Sequence, residues 1–253
     1  MTKISMADIR KHFSEDIKQL NPELMAHLGI DLPEPSAADQ TVVEQFALKE
    51  LNRSIQRADG RIVYCVADVS GKGIAASLLM SNFQASLRTL LRQTPNMTEI
   101  VEALNYQVME NTKGEKFITF FGAIYDVKLR SMVYVNAGHN PPILVDKKNG
   151  IRLLEDGSTV LGAMHPLPFL NEGFLTNLDD FLLFCFTDGV TETVDESEQE
   201  FGMERLMEYF QNEETFTRDL RDIHQDIIVA LDNFKGRNSY HDDITILSCR
   251  VGQ

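Results

Sequence analysis

Apolar positions along the chain change period several times, and each change marks a new element. In residues 5–28 Ile9, Phe13, Ile17, Leu20 and Leu24 recur at helical spacing, and Leu32-Pro33-Glu34-Pro35-Ser36 reads as a linker. A second helical stretch, 40–57, sets Val43, Phe46, Ala47 and Leu51 on one face. Asp59-Gly60 then turns the chain into a strand over 61–67. The spacing next predicts a helix over 74–93 with Leu78, Leu79, Phe83, Leu87, Leu90 and Leu91 as its stripe. Another is expected over 98–111, with Thr98 as N-cap and Ile100, Val101, Leu104 and Val108 inward.

From there the pattern is that of strands: 117–127, 131–137 and 143–146, then Asn149-Gly150 as a tight turn before 151–154. Lys147-Lys148 marks a hairpin tip. A strand over 181–187 follows Asp179-Asp180, helices are expected over 202–211 and 216–233, and residues 234–241 read as a loop before a closing strand over 244–251. Regular βαβ alternation is absent, which argues against a doubly wound parallel sheet.

Composition narrows the class. At 253 residues the chain is one large domain or a domain with an appendage, and its 43% hydrophobic and 25% charged content is that of a soluble globular chain. No apolar run is long enough to span a bilayer and Met1-Thr2-Lys3-Ile4-Ser5 lacks a signal-peptide core, so cytoplasmic residence is expected. The formal net charge of −14 argues against nucleic acid or anionic lipid as partner. Cys65, Cys185 and Cys249 lie in or at the end of apolar strand-like runs without a C-x-x-C, and read as buried structural thiols.

Three acidic clusters stand at strand ends. Asp68-Val69-Ser70-Gly71-Lys72-Gly73 follows the first apolar strand, Thr187-Asp188-Gly189 follows the strand from Phe181, and Asp242-Asp243 precedes the last strand. Singly, each has an ordinary explanation: a tight strand-to-helix connection, an Asp-Gly turn, and a polar strand cap. Together they offer hard oxygen ligands converging from three strand ends, the set an octahedral divalent cation prefers. Adjacent Asp242 and Asp243 in an extended chain point to opposite faces, so only one reaches a given ion. No His or Cys set has zinc spacing, and the G-x-x-x-x-G-K-[ST] phosphate loop is absent. Gly71 and Gly73 let the backbone approach a ligand, while Lys72 reads as solvent-exposed. In Ala137-Gly138-His139-Asn140-Pro141-Pro142 the turn is either a strand terminator or a means of bringing His139 near the cleft to orient a group or handle a proton; His165 has less support.

As a set these motifs resemble the metal-dependent protein phosphatases (PPM) of the SpoIIE/RsbU branch: D-V-S-G-K-G with Ile74-Ala75-Ala76-Ser77-Leu78-Leu79-Met80, Phe117-Ile118-Thr119-Phe120-Phe121, A-G-H-N-P-P, Leu161-Gly162, T-D-G-V-T-E, Phe201-Gly202 and D-D-I-T, over roughly 60–251. The resemblance implies an α+β fold, a central β-sandwich flanked by helical layers (α-β-β-α). On this resemblance an N-terminal helical region, 1–57, is expected to precede a phosphatase domain over 58–253. It implies a binuclear Mn2+ or Mg2+ centre. By that resemblance Asp68 would bridge both ions, the Val69 carbonyl would contribute to one, and Asp188 and Asp242, with Asp243 beside it, would complete the other. His139 is the remaining candidate catalytic residue. The implied reaction is hydrolysis of phosphoserine or phosphothreonine on a small protein, a phosphorylated anti-sigma factor antagonist of the STAS type in a partner-switching pathway.

One departure stands out: the G-G-D-x-x-D element expected just before the Asp68 strand is missing, and the region before Asp59 reads as helix. Either a segment is lacking, the site is incomplete, or Glu44, Glu50 or Asp59 substitutes. That departure motivates an alternative, a phosphatase-fold binding module without turnover. Because helix 74–93 starts right after the metal loop, partner binding or homodimerisation through the N-terminal helices is expected to control activity through it.

Overall fold

A computed structural model of the protein describes residues 61–71 and 74–252. The helices expected over 5–28 and 40–57, the dimer contact assigned to them, Glu44, Glu50, Asp59, Lys72 and Gly73 lie outside the described residues.

Among the described residues nine strands form two sheets. The first contains β1 (Arg61–Val69), β2 (Ile118–Asp126) and β3 (Ser131–Ala137) as an antiparallel run. Two short strands that the apolar pattern does not announce, β6 (Gly157–Ser158) and β7 (Gly173–Leu175), both pair with the far edge of β3. The second sheet has the order β5 (Gly150–Leu153), β4 (Ile143–Asp146), β8 (Phe181–Phe186), β9 (Ile246–Val251), all antiparallel.

The alternation of side chains along the strands explains the layers. In β1, Val63 and Cys65 face one core while Tyr64 and Val66 face another. In β8, Phe181, Leu183 and Cys185 enter the inter-sheet core while Leu182, Phe184 and Phe186 enter a third. Strands covered on both faces read as unbroken apolar runs. The outer layers are helical. Helices α1 (Ile74–Gln93) and α2 (Met97–Thr112) cover the first sheet. On the second lie α3 (Asp188–Thr191), α4 (Gly202–Gln211), α5 (Glu213–Thr217) and α6 (Leu220–Lys235). This is the α-β-β-α sandwich.

Several local expectations are corrected. Leu78 is 54% exposed and leaves the α1 stripe, which is carried by Leu79, Phe83, Leu87 and Leu91. The cap of α2 is Asn96, not Thr98. Asn96 Oδ1 accepts the Glu99 N–H at 3.2 Å, and the Thr98 hydroxyl donates to that same oxygen at 2.6 Å from inside the helix. The single helix expected over 216–233 is two, because Asn212 and Asp219 each cap a new start and accept the N–H groups of Glu214 and Arg221. The last helix runs on to Lys235, inside the expected loop. The closing strand starts at Ile246 rather than at 244, and β1 continues to Val69 because Asp68 and Val69 still pair with Thr119 and Ile118.

The three thiols are unpaired. Cys65 and Cys185 are buried, and half-buried Cys249 donates to the Tyr64 hydroxyl across the two sheets at 3.1 Å. No helix among the described residues is long and apolar enough to cross a membrane.

Phe184 packs at 4.8 Å from the Phe210 ring and 5.9 Å from Phe186, fully buried in the third core. Phe184→Ala should cost about 3–5 kcal/mol in chemical denaturation, the range for opening a large core cavity.

Candidate metal centre

Asp68 is the penultimate residue of β1 and stands opposite Thr119 in the ladder. Asp188 opens α3, just past the end of β8. The Asp-Gly pair is therefore the first turn of a short helix rather than a plain β-turn. Its position is fixed by Thr187, whose hydroxyl donates to the Asp243 carbonyl at 3.0 Å and accepts the Thr245 N–H at 2.9 Å, while its own N–H donates to the Thr245 carbonyl at 3.1 Å. These bonds bind the 242–245 segment to the end of β8. Gly189 completes the contact: a Cβ there would stand 2.4 Å from the Asp243 carbonyl oxygen, so only glycine permits this approach. Asp242 ends a bend and Asp243 lies in irregular chain ahead of β9, so neither is in an extended strand and the alternation argument for their opposite directions does not apply.

The carboxylates feel one another. The Asp68 carboxyl is raised from 3.8 to about 6, first by crowding from the protein, then by the charges of Asp188 and Asp242, with a smaller contribution from Asp243; the Val69 backbone N–H offsets part of this. The Asp68 residue nonetheless remains open to solvent on its outer side. Asp188 Oδ1 accepts the Gly189 N–H at 2.9 Å and Asp242 Oδ1 accepts the Asp243 N–H at 2.8 Å, so each turns one oxygen back on its own backbone. Among the described residues, no group of three His, Cys, Asp or Glu side chains is arranged to hold a metal ion as it stands. The donor chemistry nevertheless suits a hard cation: every ligand candidate here is an oxygen.

Val69 has its side chain buried. His139 is 6% exposed, with Nδ1 at 3.1 Å from Thr119 Oγ1, directly behind Asp68. Burial lowers its conjugate acid from 6.5 to about 4, so the ring is neutral at physiological pH. Asn140 Nδ2 donates to Thr191 Oγ1 at 3.3 Å, joining the same turn to α3. His165 lies elsewhere, its ring edge-on to Tyr106 at 5.2 Å.

Two residues escaped the sequence argument. Glu192 lies one helical turn beyond Asp188, and its carboxyl is raised by partial burial and then by Asp188, Glu200 and Asp242. Its place in T-D-G-V-T-E, four positions after an aspartate, was the available signal. Thr187, the clamp, carries no signal of its own because its role depends on where Asp243 arrives.

The sandwich and its acidic edge define a class, that of the PP2C-type phosphatase fold. The SiaA-PP2C domain of Pseudomonas aeruginosa superposes with a TM-score of 0.66 at 17% identity, over 77% of each chain. RsbX in complex with magnesium does so with a TM-score of 0.51 at 18% identity, over 76% of this chain and 82% of that one. Phosphoserine phosphatase RsbU of Bacillus subtilis (strain 168) is 32% identical over 128 residues, 50% of this chain and 38% of RsbU, so the aligned part spans well under half of that relative. Residues 58–252 match the family described as Stage II sporulation protein E (SpoIIE), and the chain belongs to that family.

Two measurements test this geometry. Gly189→Ala should cost about 1–3 kcal/mol in urea unfolding, because the added methyl displaces the Asp242-Asp243 turn. The second uses pH. Unfolded His139 takes up a proton below 6.5 that the folded ring refuses until about 4, so its contribution is complete above pH 6.5 and lost as pH falls. Asp68 has the opposite sign: folded, it holds a proton up to about 6 against 3.8 unfolded, so its contribution is present at low pH and lost as pH rises through 6. The two nearly cancel in the metal-free protein. Asp68→Asn removes one of them, and that variant should lose up to about 3 kcal/mol of stability between pH 6.5 and 4. A slope no steeper than the wild type's refutes the assignment.

Proposed function

We propose that the chain is a metal-dependent serine/threonine protein phosphatase acting on a small phosphorylated regulatory protein, an anti-sigma factor antagonist of the STAS type in a partner-switching pathway. The observation that carries this reading is the mutual field of Asp68, Asp188 and Asp242 at one open edge of the sandwich. Three like charges gathered from two sheets are unfavourable alone and favourable around a divalent cation. RsbU is named a phosphoserine phosphatase, and RsbX is described with magnesium; both support the same chemistry here.

Asp68, Asp188 and Asp242 are the residues that would hold Mn2+ or Mg2+, with the Val69 carbonyl and Asp243 as further oxygen donors. When bound, such an ion acidifies a water molecule and neutralises phosphate oxygens. The rest falls to the chain. Thr187 keeps the Asp188 and Asp242 turns together, and the exposure of Asp68 and Asp242 leaves the mouth accessible to a phosphoserine carried on a folded protein. A cysteine nucleophile is disfavoured, because burial pushes the Cys65 thiol up to about 12 and Cys185 in the same direction. The proposed setting is the cytoplasm, with region 1–57 as the homodimer and regulatory contact.

Full-length Asp68→Asn should lose Mn2+-dependent hydrolysis of p-nitrophenyl phosphate and of a phosphorylated STAS domain by about 100-fold or more, with an unchanged circular dichroism spectrum. Full activity in this variant sinks the mechanism. The competing reading, a binding module without turnover, rests on the missing G-G-D-x-x-D and on the open carboxylate arrangement among the described residues. A wild-type chain that binds the phosphorylated STAS domain yet hydrolyses neither substrate with Mn2+ selects it.

A further inference from the structure

His139 occupies a position where an apolar ring would pack without leaving a polar atom unsatisfied. Its Nδ1 is taken by Thr119, but Nε2 is buried and makes no hydrogen bond among the described residues. The turn that delivers the ring is over-determined. The His139 backbone N–H donates to Asn136 Oδ1 at 2.8 Å, and Asn136 Nδ2 donates to the Leu154 carbonyl at 3.0 Å. Gly138 adopts φ +69°, where a Cβ would meet Val160 Cγ1 at 2.5 Å. The backbone that carries the imidazole is thus fixed.

The groups flanking the ring belong to the two strand ends that bear the aspartates. Thr119 is the cross-strand partner of Asp68 in the first sheet. Phe186 ends β8 in the second sheet, two residues before Asp188, and its backbone lies beside the ring. With Nδ1 occupied, Nε2 is the nitrogen left for it. The neighbouring Asn140 ties the same turn to Thr191 of α3. Among the described residues no strand ladder joins the two sheets, so side chains packed between them contribute to the spacing of the Asp68 and Asp188 ends.

We propose that His139 is a positioning residue for the carboxylate site: a neutral imidazole, accepting the Thr119 hydroxyl at Nδ1 and presenting Nε2–H to the Phe186 carbonyl, that couples the Asp68 end of one sheet to the Asp188 end of the other. The proposal rests on the metal-site reading above. Drawing Asp188 toward Asp68 carries the Phe186 carbonyl with it and satisfies the orphaned nitrogen. That contact accounts for a polar ring at this buried position.

The test is calorimetric titration of the full chain with Mn2+, alongside thermal unfolding without metal. His139→Phe is expected to fold with an equal or higher midpoint and to bind Mn2+ about 10–100-fold more weakly, the range for losing a partner that orients ligands. His139→Gln, which restores an amide donor, should recover part of that loss. A folded His139→Phe that binds Mn2+ as tightly as the wild type overturns the proposal. Should that variant not fold, nitrogen NMR of the wild type decides. The Nε2–H tautomer, with its proton moving downfield and exchanging more slowly on Mg2+ saturation, supports the coupling. An Nδ1–H tautomer, or a proton unmoved by Mg2+, overturns it. Failure of the wild type to bind either ion removes the metal reading and this proposal with it, whereas equal binding by wild type and variant removes only the role of His139.

Discussion

Repulsion among carboxylates at one edge of the sandwich is the constraint around which the rest of the site is arranged. Asp68 arrives on the first sheet and Asp188 on the second, and Asp242 precedes the strand beside β8. Each is pressed toward the others by burial of strands that have no reason of their own to avoid charge. Burial first, and then the charges of Asp188 and Asp242, raise the Asp68 carboxyl. A fold that accepts such a cost at its edge stores a driving force for binding a cation there.

The rigid parts of the molecule explain how the cost is sustained. Three apolar cores lie in sequence across the four layers, and both central sheets are buried on two faces. Strand ends projecting from such a body have little room to move apart. Thr187 then pins two of the three acidic turns through three hydrogen bonds. His139 meets Thr119, the cross-strand partner of Asp68, and its own N–H is held by Asn136. Membership in the SpoIIE family fits this division between a stiff scaffold and a charged, solvent-facing edge.

The local arrangement also bears on which chemistry is open to the chain. Cys65 and Cys185 are enclosed in strands, where burial keeps their thiols protonated, and among the described residues the groups gathered at the accessible sandwich edge are carboxylate oxygens. Glu192 adds another carboxylate to this edge through α3, one turn beyond Asp188. The acidity of the chain as a whole, −14, is thus partly concentrated where a cation has most to neutralise.

The amino-acid sequence alone determined the elements whose burial is one-sided or complete along the chain. The stripe of α2, the continuous apolar run of β8 and the order of strands and helices were legible because side-chain periodicity is a local property. The acidic clusters were legible as candidates because aspartate beside glycine after an apolar run is a local pattern as well. Caps and ends were less so: Asn96 displaced Thr98 as the cap of α2, and Leu78 lost its core place to the precise facing of α1 on the sheet. What only the tertiary structure decided was proximity between distant parts of the chain. That Thr187 would grip residues 243 and 245, that Glu192 would share the field of Asp188 and Asp242, and that His139 would lie behind Asp68 with one nitrogen unsatisfied all depend on how two sheets are stacked. Stacking is fixed by cores assembled from residues far apart in sequence, and no local pattern encodes the distance between them.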